Sequence, residues 1–267
     1  MIKTKVFKKL VLLISIAIFC TIGAKAETID NVIKRGELRV GLSSFVPWAF
    51  VNKNGDLVGF EVDVAKKLAK DLGVKVKIIN TAWDGIIPAL QSGKFDVIIG
   101  GMSVKTKRNL VINFTDSYAG TDYILLTLPK HKDKKFKDFN SRSLKFAGRR
   151  GAIPANLTKK HFPKAKLLQF DDDGVALQEL LSGKVDAIIE TSTYASIALD
   201  KHKGKVNYVD GGKTIYQVPS SFGVRKGNHD TLNVFNNWIR SQKNSGWLQS
   251  KAHYWFKTRE WKNQIPK

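Results

Sequence analysis

The chain has 267 residues, a formal charge of +22 from 45 Lys and Arg against 23 Asp and Glu, and one cysteine. That length suits a leader followed by two modest domains, each large enough for its own core, and a single cysteine excludes a disulfide framework. The basic residues are scattered, with one dense run at Lys130 to Lys137 and no nucleic-acid module pattern, so they read as a solvated surface and not as a nucleic-acid interface.

The first 26 residues have the order of a secretory signal peptide. Lys3, Lys5, Lys8 and Lys9 precede an apolar run from Leu10 to Ile22, and Ala24-Lys25-Ala26 is a small-x-small cleavage site. The run is too short for a spanning helix, which needs about 20 apolar residues. Cleavage would start the mature chain at Glu27 and lower the charge by five lysines, to +17. Cys20 falls inside the leader, with bulky Phe19 before it where a lipoprotein signal carries a small residue. The exported chain would then hold no thiol, excluding a cysteine nucleophile or a cysteine-ligated metal.

From Glu37 onward, strand-like runs alternate with helical patterns, the signature of βαβ units and a mostly parallel sheet. Glu37 to Leu42 reads as a strand after a short helix closed by Gly36, and Asn54-Gly55 as a hairpin-type turn. Val62, Ala65, Leu68, Ala69 and Leu72 recur at helical spacing, with Gly73 as the stop. Val74 to Ile79 is a strand, Asp84 caps a helix through Leu90, and Asp96 to Ile99 is a buried strand. This β-α-β-α-β order is one doubly wound half. A second half follows: strand Leu144 to Ala147, helix Asn156 to His161, strand Leu167 to Phe170, helix Gly174 to Leu181 and strand Val185 to Ile189. Tyr123 to Leu128 and Ser221 to Val224 are short extended runs suited to crossing between the halves, and no internal repeat stands out.

Several motifs recur together in a recognisable order. They are Gly59-Phe60-Glu61-Val62-Asp63-Val64 with Leu68 and Ala69, Trp83 to Leu90, Gly101-Met102-Ser103 with Arg108, Gly183 to Ala187, and Phe222 to Asn228. With these residues the chain resembles the bacterial extracellular solute-binding proteins of the polar amino acid class (family 3), which serve ABC transporters, over nearly all of its length after the leader. The resemblance implies an α/β, two-lobed clamshell of the type II periplasmic-binding-protein kind, with doubly wound sheets and a two-segment hinge. Lobe 1 would be residues 27–121 plus 222–267 and lobe 2 residues 122–221. It implies a small amino-acid ligand in the interlobe cleft, a membrane permease as partner, and a monomer in the periplasm. No cofactor, metal or nucleic acid is implied, and none of the five histidines has metal-ligand spacing.

The resemblance also implies roles. Arg108 matches the arginine that grips the ligand carboxylate, a task suited to a planar guanidinium making two charge-assisted bonds. Gly101, Met102 and Ser103 form the turn that adds backbone and hydroxyl contacts. Phe45 and Trp83 match positions that sandwich the ligand side chain, and Trp48 is a looser match. Two departures stand out. The lobe 2 turn reads Gly151-Ala152-Ile153-Pro154 where the family usually has hydroxyls, leaving the N–H groups of Ala152 and Ile153. The acidic anchor for the α-amino group is replaced by Thr191, with Glu190 one position early, where strand alternation would turn it away from the cleft unless the backbone bulges. Glu61 and Asp63 read as scaffold.

The competing reading is an enzyme on the same scaffold, a periplasmic cyclohexadienyl dehydratase, which the tail Ser245-Gly246-Trp247-Leu248 and His253 to Phe256 also resembles. Loss of water from a ring needs an acid over the leaving hydroxyl, and residues 152–156 carry no carboxylate. A binding protein and not an enzyme is therefore expected.

Overall fold

The computed structural model describes residues 27–258 and 260–265; the leader with Cys20 and its cleavage site lie outside them. Among the described residues no helix is long and apolar enough to cross a membrane.

The first half opens with α1 (Thr28–Arg35), closed by Gly36 in the left-handed conformation at φ 69°, and β1 (Glu37–Leu42). A small hairpin, β2 (Phe50–Val51) with β3 (Leu57–Val58), leads into α2 (Phe60–Asp71) and β4 (Lys75–Asn80). Gly59, at the N-cap of α2, has φ 136°, and a Cβ there would meet the Trp48 carbonyl oxygen at 2.3 Å, so only glycine lets this helix start against that loop. A 3-10 turn (Trp83–Gly85) then runs into α3 (Ile86–Gln91), followed by β5 (Val97–Ile98) and the short α4 (Thr106–Asn109). Asp84 sits inside that 3-10 turn and makes no cap; the cap position is Gly85.

The second half contains β7 (Lys145–Arg149), α5 (Ile153–His161), β8 (Lys166–Phe170), α6 (Asp173–Leu181), β9 (Ala187–Thr191) and α7 (Ser192–Lys201). β4 and β5 flank β1 in parallel, and β8 and β9 flank β7 in parallel, so the two halves have the same strand order. Two long strands join them, β6 (Ile112–Thr127) and β11 (Tyr216–Arg225), with β10 (Asn207–Tyr208) on the side of β6. Pairing through these strands links both halves into one mixed path, β4-β1-β5-β11-β6-β9-β7-β8. The runs expected to be short crossings are thus the ends of strands of 16 and 10 residues. Their antiparallel register slips between Ser220 and Gly223.

Residues around Ser92-Gly93-Lys94-Phe95-Asp96-Val97-Ile98-Ile99 and Ser182-Gly183-Lys184-Val185-Asp186-Ala187-Ile188-Ile189 occupy equivalent places. Each aspartate accepts the N–H at the equivalent place on the neighbouring strand, Arg39 to Asp96 at 2.8 Å and Lys145 to Asp186 at 2.9 Å. This repeat is one that the sequence reading passed over.

The core follows the same division. Val40, Phe60, Leu68, Phe222, Phe235 and Trp261 belong to one cluster, while Leu125, Phe139, Phe146, Phe162 and Ile189 belong to another. The chain end reinforces the first: α8 (His229–Asn244), α9 (Trp247–His253) and the turns Tyr254–Thr258 and Glu260–Gln264 place Trp255 and Trp261 against Phe50. The carboxyl ends of the parallel strands in both halves open onto one cleft.

Candidate functional site

The cleft is lined from the first half by Ser43, Phe45, Trp48, Trp83, Gly100, Gly101, Ser103 and Arg108, and from the second by Arg149, Ala152, Ile153, Pro154, Asp173, Glu190 and Thr191, with Thr121 and Tyr123 of β6 between them. The cavity that remains is about 40 Å³, room for about three waters. The two halves touch across it: the Phe45 and Tyr194 rings meet in a tilted pair with centroids 5.4 Å apart, and Arg108 Nη2 donates to the Gly151 carbonyl at 3.3 Å.

Arg108 lies on α4, just after the turn that follows β5. Its Nη1 donates to the carbonyl and hydroxyl oxygens of Ser103 at 3.1 and 3.2 Å, and its Cζ lies 5.5 Å from the Trp83 ring centroid. Burial, with Arg149 nearby, pushes its pKa down, though a guanidinium stays charged. The turn itself is braced from beneath. Tyr118 donates to the Glu61 carboxyl at 2.6 Å and accepts the Gly101 N–H at 3.1 Å. Gly101 has φ 63°, and a Cβ there would press on Trp48 at 3.4 Å. Enclosure raises the Glu61 carboxyl to about 8 despite the Tyr118 bond. Asp63 is tied to Trp255 Nε1 and Lys251 Nζ, both at 3.0 Å.

Met102 departs from the expected set. Its side chain is fully buried with Ile86, Leu90 and Phe95, and it reaches the β11 backbone instead of the cavity through its carbonyl, which accepts the Ser221 N–H at 2.9 Å. Ala152 lines the cavity but its N–H is spent on the Arg149 carbonyl at 3.2 Å. Ile153 is the first residue of α5, where an N–H has no intrahelical acceptor and suits an anion.

Glu190 faces the cavity without a bulge in β9, which pairs in continuous register with β6. Its carboxyl curls around the strand end, where Oε2 accepts the Thr191 N–H at 3.3 Å, and Oε1 is buried without a hydrogen-bond partner. Burial first, then the neighbouring Asp173, push its pKa well above the usual carboxylate range. Thr191 lines the cavity too, but its hydroxyl caps α7 by accepting the Tyr194 N–H at 3.2 Å.

Sequence reasoning missed Arg149 and Asp173. Arg149 ends β7, and Nε lies 3.0 Å from Asp173 Oδ2 without the N–H aimed at the oxygen. Desolvation raises Asp173 to about 6, with Arg149 pulling the other way. The two carboxyls therefore share the site, each pushed up by enclosure, with Arg149 pulling both back down. The available signal was position: Arg149 stands at the carboxyl end of an apolar parallel strand, where open α/β sheets place ligands. In Asp171-Asp172-Asp173 nothing marks which acid points inward; Asp172 is the one that caps α6.

The model for bacterial extracellular solute-binding proteins, family 3, matches residues 38–258. The chain belongs to this family. The L-cystine-binding protein TcyJ of Escherichia coli K12 is 30% identical over 230 residues, 85% of each chain, and the ABC transporter arginine-binding protein 1 of the same strain is 27% identical over 93% of this chain and 99% of its own. Among solved structures, an ancestral amino acid-binding protein described as a precursor of cyclohexadienyl dehydratase is 38% identical, with a TM-score of 0.79 over 87% of this chain and all of that one. A binding component of an ABC transporter from Wolinella succinogenes, complexed with lysine, is 34% identical, with a TM-score of 0.80 over 85% of this chain and 98% of that one. These neighbours place the fold among the two-lobed binding proteins of the family.

As a family 3 chain, the protein has a cleft that can do three things chemically. Arg108, Ser103 and the Ile153 N–H can meet a carboxylate, Glu190 can accept from an ammonium, and the rings of Phe45 and Trp83 offer faces to a third group.

Proposed function

We propose that this chain is the periplasmic solute-binding component of an amino-acid ABC transporter, exported by cleavage after Ala26. It binds a small amino acid as a monomer and delivers it to the membrane permease. Lobe 1 is residues 27–121 with 222–267, lobe 2 is residues 122–221, and the stretches near 122–127 and 219–224 are the hinge. The ligand carboxylate lies against Arg108, Ser103, Gly101 and the Ile153 N–H, its ammonium against Glu190 and Thr191, and its side chain beside Phe45, Trp48, Trp83 and Ala152. Met102 contributes its backbone alone. The observation that carries this reading is the placement of Arg108, half-buried at the mouth of the cavity and already bonded to both lobes.

The test is calorimetry and thermal shift on ligand-stripped protein against the twenty amino acids. A ligand at a hundredfold excess over its Kd adds about 2.7 kcal/mol, or about 5 to 10 °C in Tm for a chain of this size. Arg108→Ala removes two charge-assisted bonds of about 1.5 to 3 kcal/mol each, so affinity should fall by about a hundredfold or more with the circular dichroism unchanged. Near-normal affinity in that variant would overturn the assignment.

One observation favours a second reading, a cyclohexadienyl dehydratase. The turn at residues 152–156 lacks a carboxylate, but Glu190 reaches the cavity from β9 with its pKa pushed well up by burial. Turnover of prephenate or arogenate by the wild type, lost in Glu190→Gln, would establish it. Amino-acid binding with no turnover sets it aside.

A further inference from the structure

Arg149 fills the space between two aromatic rings that belong to the opposite lobe. Its Cζ lies 4.9 Å from the Trp83 centroid and 5.6 Å from that of Phe45, Nη1 is 3.5 Å from Ser43 Oγ, and Asp173 stands behind it at 3.0 Å from Nε. Two ring faces and a carboxylate are what a protein assembles to hold a cationic group. Here the cation is supplied by the protein's own side chain, which is 7% exposed and so fixed in place by its surroundings.

The consequences are steric and electrostatic. With Arg149 seated, the cavity of about 40 Å³, room for about three waters, leaves no space for a long side chain beside an α-amino acid head group. A lysine or arginine side chain directed at the rings would meet a like charge at contact distance where water is excluded. The fold itself is no obstacle, since the Wolinella succinogenes relative holds lysine. The charges also balance without a charged side chain. Arg108 answers a carboxylate, the unpartnered Glu190 Oε1 answers an ammonium, and Arg149 and Asp173 answer each other. Nothing is left over for a third ligand charge.

We propose that Arg149 is a specificity-determining residue that occupies the aromatic cage of this site, excludes cationic side chains, and restricts the ligand to amino acids with short uncharged side chains. This rests on the amino-acid binding reading above, and the experiment separates the two.

Titration calorimetry on the ligand-stripped protein compares glycine, alanine and serine with lysine and arginine. The wild type should bind at least one of the first three and bind lysine and arginine at least about tenfold more weakly. Arg149→Ala frees the rings and Asp173, so the ratio of arginine to alanine affinity should rise by about tenfold or more. Arg149→Ala with Asp173→Asn should lose that gain, and Arg149→Lys, which keeps a cation in the cage, should retain the wild-type ranking. A wild type that binds lysine or arginine as tightly as alanine overturns the proposal, as does an unchanged ratio in Arg149→Ala. If Arg149→Ala does not fold, the wild-type ranking and Arg149→Lys decide it. A wild type that binds no amino acid overturns the binding reading itself, and the proposal with it.

Discussion

The carboxyl of Glu190 is enclosed, has one oxygen without a partner, and has its pKa pushed well up by burial and by Asp173. A ligand ammonium arriving there would favour the ionised form, lowering a raised pKa. Binding should therefore release a proton from Glu190, and affinity should rise with pH. Calorimetry in buffers of different ionisation enthalpy reads this directly: proton release in the wild type, none in Glu190→Gln, and weaker binding in that variant. Thr191→Ala should behave differently. Its hydroxyl caps α7, so the loss is about 1 kcal/mol of stability with a smaller change in affinity. The sequence pointed to Thr191 as the position of the anchor and made Glu190 reach the cleft only through a bulge, whereas it lines the cavity without one. Alternation is a rule for strand interiors, and Glu190 is the residue before a helix cap, where the side chain can turn the corner. Arg108, Ser103, Phe45 and Trp83 were legible because their motifs keep family spacing; Arg149 and Asp173 were not, because each lies among other charges of the same sign.

At the scale of elements, the helix α2 holds the ligand turn through a single buried chain, Glu61 to Tyr118 to the Gly101 N–H. The sequence identified this helix by its apolar spacing and read Glu61 as scaffold, but nothing in a periodicity shows that a fully buried acid faces a tyrosine 57 residues away. Since Glu61 titrates at about 8 in the folded chain and near 4.5 when unfolded, the folded state binds more protons between those values. Its contribution is present at low pH and is lost as pH rises through about 8, with a slope of at most about 1.4 kcal/mol per pH unit. Urea denaturation should then show Glu61→Gln gaining on the wild type between about pH 5 and pH 8. A difference that stays flat would mean that Glu61 is ionised throughout. The parallel strands were legible within a residue or two, from alternation and glycine stops. The long strands β6 and β11 were not, because Thr115-Asp116-Ser117 and Tyr216-Gln217 carry no apolar alternation; what makes them strands is each other.

For the whole molecule, the repeated strand order in the two halves explains why one cleft collects residues so far apart in the chain: the carboxyl ends of both sets of parallel strands converge there. Among the described residues only β6 and β11 carry the chain between halves, and their register slips near Ser220, where the proposed hinge would concentrate bending in a few residues. Contacts across the cleft are of two kinds: polar ones, such as Arg149 to Ser43, Arg108 to Gly151, and Lys262 to Asp200 at 2.7 Å, and ring contacts, Phe45 with Tyr194 and Arg149 over Trp83 and Phe45. The exposed polar ones are worth about 1 kcal/mol or less each, and a ligand bridging the lobes adds to the buried ones. Cysteines introduced at Ala82 and Asp171, exposed residues lining one crevice at the rim from opposite lobes, offer a way to measure this. With spin labels at both sites, the bound protein should give a short, narrow distance distribution, and the stripped protein a broader one extending to longer distances. In the Arg108→Ala background the same ligand concentration should leave the distribution broad. If ligand shortens the distance equally without Arg108, closure is driven from lobe 2 alone, and Arg108 is a structural tie between Ser103 and Gly151.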